Sequence, residues 1–72
     1  MPRRNAIAPA ALLCAIKAES ALSVSPWVPT RAVLYRIGGS PIAVSKAADA
    51  LVAQGKIQRK WNATQWWYRE AA

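Results

Sequence analysis

Four cationic side chains and three indoles crowd the stretch "GKIQRKWNATQWWYRE", residues 55–70. Lys56, Arg59, Lys60 and Arg69 carry groups that bind phosphate oxyanions, arginine through a planar fork and lysine as a point charge. Trp61, Trp66 and Trp67 offer faces that stack on bases or sugars, and the same rings can fill a core. Interleaved in this way, the two residue types suit a polyanion. Catalysis finds no footing. The chain has no His, and its only acids, Glu19, Asp49 and Glu70, lie on separate segments. No nucleophile has an evident base, and "GGS" at 38–40 reads as a turn between helices rather than a phosphate loop. The expectation is a protein that is not an enzyme and holds no cofactor. Cys14 is the single cysteine, so no disulfide forms within the chain, and without His a structural zinc site is excluded.

Seventy-two residues bound the chain to one domain. A chain of this size buries only about 60% of the surface that its unfolded form exposes, so its core must be used efficiently. The formal net charge of +7 favours nucleic acid or an anionic membrane surface, against the plainer reading of solubility. The start, "MPRRNAIAPAALLCAIKAES", has the outline of a signal peptide, but Pro9 and Lys17 interrupt its apolar stretch. No run approaches the roughly 18 apolar residues of a spanning helix. These features, with a lone thiol, predict a soluble cytoplasmic protein with no membrane partner. On the same reading "NAT" at 62–64 is a sequon by chance.

The elements that must position the cluster can be read in order. Residues 1–8 form a basic arm with Arg3 and Arg4, and residues 9–72 the domain. Pro9 suits a first helical turn, followed by Leu12, Leu13 and Ile16 at helical spacing, with Cys14 a small core residue. Pro26 and Pro29 force a loop with a short extended piece around Trp27 and Val28. Thr30 is the expected cap of a second helix whose inner face is Val33, Leu34 and Ile37. Ser40 caps a third helix, Pro41 sits at its first position, and Val44, Ala47, Ala48, Leu51 and Val52 form its apolar stripe. Gly55 fits a left-handed cap, with Ile57 packing back on the helix end.

Two strands around a short turn complete the chain. An even loop sets Trp61 opposite Trp66, Lys60 opposite Trp67 and Arg59 opposite Tyr68, whereas an odd one changes these partners. With Ile57 facing the core, alternation places Trp61, Trp66 and Tyr68 on its side and Lys56, Gln58, Lys60, Trp67 and Arg69 on the other. Trp61 and Trp66 are therefore expected to pack. Trp67 stays open between packing and a partner.

This order of elements resembles a winged helix-turn-helix domain, a small α+β fold of three helices with a C-terminal β-hairpin wing. The likeness is densest over "GGSPIAVSKAADALVAQGKIQRK", residues 38–60, as in bacterial repressors: Ser40 after a Gly-containing turn, Val44-Ser45-Lys46, Leu51 one turn before Gly55, then Ile57 with Arg59-Lys60. Leu34 departs from the pattern, standing where the family has a small residue. The resemblance implies a transcription regulator, alone or as a homodimer, binding double-stranded DNA. Helix three, with Ser40, Pro41, Ala43, Ser45 and Lys46, would enter the major groove. The wing, with Lys56, Arg59, Lys60, Trp67 and Arg69, would follow the backbone, and Arg31 and Arg36 on helix two would reach flanking phosphates. The outward face of helix three offers no Arg, Asn or Gln for bidentate base contacts, so base readout is expected to be modest. The alternative is a winged-helix adaptor that holds a protein through the Ala-rich third helix and the Trp-rich wing. RNA, with aromatics stacked on unpaired bases, is a third option.

Overall fold

Pro9 opens the first helix at its first position, where a missing N–H costs nothing. The computed structural model describes residues 7–62 and 64–71, and its elements run α1 (Pro9–Ala21), β1 (Val28–Pro29), α2 (Thr30–Ile37), α3 (Pro41–Ala53), β2 (Ile57–Asn62) and β3 (Gln65–Glu70). Arg3 and Arg4 of the expected arm lie outside the described residues. Ile7, assigned to that arm, instead packs against the core. In α1 the buried positions are Leu12, Ala15 and Ile16. Cys14 is exposed rather than a core residue. At 100° per residue it points roughly opposite to Leu12 and Ile16.

Two expectations for α2 fail for definite reasons. Thr30 is not its cap: Pro29 holds that position, and Thr30 is the first helical residue. Its buried hydroxyl donates to the backbone oxygen of Trp66 at 2.8 Å, tying the start of α2 to β3. Ile37, assigned to the inner face, is the last helical residue and 37% exposed. The core contact of this helix passes through Thr30 and Val33, with Leu34 beside them.

The turn into α3 is tight because Gly39, at φ +94°, abuts Ile7; a Cβ there would stand 2.9 Å from Ile7 Cδ1. Ser40 caps α3, its Oγ accepting from the Ala43 N–H at 3.2 Å, and Pro41 follows as expected. Ala43, Val44, Ala47, Ala48 and Leu51 are buried. The three alanines among them let neighbouring helices approach closely. Val52, assigned to the stripe, lies on the exposed side. It stands about 100° round from the middle of the buried face. At the far end Gly55 takes φ +72°, and the Gly55 and Lys56 N–H groups donate to Val52 O and Leu51 O at 3.0 and 2.9 Å. This Schellman cap turns the chain so that Ile57 falls back onto the core.

The strands pair in the even register, with Trp61 opposite Trp66, Lys60 opposite Trp67 and Arg59 opposite Tyr68. The sheet has three strands, not two, because the short extended piece joins it. Val28 pairs with Tyr68 and Pro29 with Trp67, antiparallel, giving the order β1-β3-β2. Pro29 is tolerated there because β1 is an edge. Val28, Ile57 and Tyr68 cover the helices from one face of the sheet and complete a core with Leu12, Ile16, Val33, Val44 and Leu51. The result is a small α+β domain of three helices and one antiparallel sheet. Among the described residues no helix is long and apolar enough to cross a membrane.

Candidate functional site

Charge in this chain is arranged by subtraction. Each of its three acids is held by one cation: Glu19 by Arg36 at 2.5 Å, Asp49 by Arg59 at 2.6 Å, and Glu70 by Lys17 at 3.3 Å. Among the described residues, Arg31, Lys46, Lys56, Lys60 and Arg69 pair with no side-chain carboxylate. Arg36, expected among phosphate ligands, is thus engaged across the α1–α2 contact.

The sheet then divides the expected hairpin residues between two faces. Arg59 lies on the helical side, its guanidinium bonded to Asp49 of α3 and set 4.7 Å from the centre of the Trp66 ring. Trp61 meets Trp66 edge to face, with ring centres 5.4 Å apart and planes at 72°. Trp66 packs against the core, as expected. Trp61 does not pack as expected. Alternation sets its side of the sheet correctly, but the sheet extends past the helical layer there, and Trp61 is 57% exposed. With Trp66, Leu34, Pro41, Thr30, Arg31 and Gln65 it lines a groove of about 310 Å³. The Gln65 side-chain oxygen accepts from the Arg31 N–H at 3.3 Å at one end of that groove.

The opposite face gathers Lys60, Trp67 and Arg69, joined by a residue that the sequence reading did not assign to the site. Trp27 sits with the Lys60 Nζ 4.5 Å and the Arg69 guanidinium 4.8 Å from its ring centre. Both lie within the range of cation–π attraction. The Trp27 N–H donates to Ser25 Oγ at 3.2 Å, which holds the loop before β1. Arg69 is oriented further by donating from Nε to the Gln58 Oε1 at 2.7 Å. Trp67 lies between Lys60 and Pro29 in the pairing, and its indole N–H is buried with no acceptor. A buried donor without a partner costs about 1–3 kcal/mol. The signal for Trp27 was available: with Val28 facing inward, alternation puts Trp27 outward once β1 is recognised as a strand.

On α3 the expected residues separate. Pro41 and Lys46 are exposed, Ser45 is half-buried, and the Ser40 hydroxyl is used in the cap. Ala43 is 8% exposed and turned into the core. Lys56 is exposed at the junction between α3 and β2. The arrangement can hold anions at several points, and the densest is the outer sheet face. No family model, curated protein or solved structure matches this chain.

On the helical face Tyr68 is buried, and its phenol is held above its ordinary pKa of 10.0 chiefly by that burial. The Arg59 charge opposes that shift, and the Asp49 charge adds to it. The folded phenol therefore keeps its proton more tightly than the unfolded one. Its contribution to stability is full below about pH 10 and is lost as pH climbs from there through the raised folded value. Urea midpoints are expected to hold up to about pH 9 and to fall above pH 10, less steeply in Tyr68→Phe. Equal falls in the two proteins would place the alkaline loss elsewhere.

Proposed function

We propose that this chain is a small winged-helix DNA-binding protein of the transcription-regulator type, a binding module rather than a catalyst. It would work in the cytoplasm, alone or as a homodimer. The observation that carries the reading is the set of five cations, Arg31, Lys46, Lys56, Lys60 and Arg69, left without carboxylates after every acid is engaged. The chain order supports it: an edge strand before α2, a glycine turn between α2 and α3, then a hairpin, as in winged helices. On this reading α3 lies against the major groove with Pro41, Ser45 and Lys46, while the wing follows the backbone.

Tryptophan fluorescence during titration with a mixed-sequence duplex tests the proposal. Five cations on four or five phosphates predict a log–log salt slope of roughly −4. No response at low salt would overturn it and leave a protein partner as the better reading. That second reading has its own support in exposed apolar side chains: Ile42 on α3 and Trp61 on the wing are 71% and 57% exposed. An adaptor surface would use them.

A further inference from the structure

We propose that Trp27 organises a phosphate clamp on the outer face of the sheet, in which Lys60 and Arg69 converge on one phosphodiester of a bound nucleic acid. This rests on the DNA-binding reading and adds to it a residue outside the helix-turn-helix and the wing. Two like charges that share one aromatic ring repel each other. Here they approach Trp27 to 4.5 and 4.8 Å, and neither is neutralised by a carboxylate. The ring quadrupole offsets part of that repulsion and limits where the two head groups can go. Gln58 removes further freedom by accepting from Arg69 Nε, and the remaining guanidinium N–H groups stay available for an anion.

The face carries more donors than acceptors, Gln58 Oε1 taking only the Arg69 Nε. Lys60 and Arg69 are donor-only groups, and Trp67, cross-strand from Lys60, has a buried indole N–H without a partner. The charge complementarity of this surface is with an oxyanion, and a phosphodiester supplies acceptors alone. Trp27 is a positioning residue: it acts by fixing two cations before the phosphate arrives, which lowers the ordering cost of binding.

The experiment compares labelled-duplex anisotropy for Trp27→Leu in the native background and in one carrying Lys60→Gln and Arg69→Gln. Trp27→Leu is expected to weaken binding about tenfold natively and less than about twofold once the cations are gone, because coupled residues are non-additive. Trp27→Phe, which keeps an aromatic face, is expected to retain most of the affinity. Amide spectra of the unmodified, ¹⁵N-labelled protein provide a readout that needs no variant. On duplex addition the Trp27 and Trp67 indole N–H signals are expected to move more than those of Trp61 and Trp66. Equal losses in both backgrounds, or shifts confined to Trp61 and Trp66, would overturn the clamp while leaving DNA binding intact. Inorganic phosphate alone reproducing the shifts would overturn it too, reassigning the face to a small anion. An unmodified protein that ignores the duplex at low salt would remove the functional reading itself.

Discussion

Replacing Tyr68 by alanine is expected to leave the chain without a cooperative unfolding transition near room temperature. Tyr68 is fully buried on the central strand, paired with Val28 on one side and Arg59 on the other. It is the largest of the fully buried side chains, and it joins α1 and α3 to the sheet through the shared core. Truncating a large buried aromatic costs about 3–5 kcal/mol in lost transfer energy and cavity. At about 0.05–0.15 kcal/mol per residue, a domain of this length has about 4–11 kcal/mol to lose, and small domains sit at the low end. The substitution therefore consumes most of the margin. Tyr68→Phe keeps the ring and removes only the hydroxyl, a change on the order of 1 kcal/mol, so it should melt cooperatively within a few degrees of the unmodified protein. Circular dichroism on heating distinguishes the two. A cooperative transition in Tyr68→Ala within a few degrees of the unmodified protein would show that the core does not depend on this ring.

The second large effect concerns charge. Substituting glutamine at Arg31, Lys46, Lys56, Lys60 and Arg69 together is expected to abolish measurable duplex binding and to flatten its salt dependence. Each neutralised phosphate contributes about 0.9 to the slope, so four phosphates, one of them shared by Lys60 and Arg69, weaken binding roughly 150-fold between 50 and 200 mM salt. Singly, substitution of Arg31, Lys46 or Lys56 should make the slope shallower by about one, and substitution of Lys60 or Arg69, which share a phosphate, by less. Lys17 and Arg36 are the internal controls. Both are cations of the same kind, but each is held by an acid, Glu70 and Glu19 respectively. Their replacement by glutamine should change the slope by well under one unit. If all seven single variants behave alike, net charge rather than placement governs binding, and the selection by ion pairing described above is beside the point.

Much of the scaffold was legible because local rules and tertiary packing agree in it. Pro9, Ser40-Pro41 and Gly55 punctuate helices by their own stereochemistry, and the even hairpin register follows from a two-residue loop. Periodicity was less reliable where an element outruns the core. Ile37 and Val52 continue apolar patterns past the edge of the buried face, and Trp61 does the same on the sheet. Cys14 was misplaced by residue type, since its helical position points away from Leu12. The candidate site was half legible. Alternation grouped Lys60, Trp67 and Arg69 correctly, but the pairings of Arg36 with Glu19 and Arg59 with Asp49 span different elements and leave no trace in local spacing. Trp27 was hidden because its short extended piece, flanked by two prolines, gave no sign that it pairs with β3 as a third strand. Thr30 was misjudged because its hydroxyl serves β3, a neighbour distant in sequence.

The position of β2 has a consequence for self-association. In the order β1-β3-β2 it is an outer strand, and among the described residues nothing pairs with its free side. Such a side is a template for adding a second chain, which proteins discourage with charge, lysine above all. Strand addition between two copies would bring Lys56 and Lys60 of one against those of the other, and like charges set opposite each other destabilise the pairing. The same cations thus act as a guard against aggregation of the free protein. On the proposed function a bound polyanion would neutralise them and lift the guard, so the tendency of this chain to polymerise edge to edge should rise with added duplex rather than with protein concentration alone.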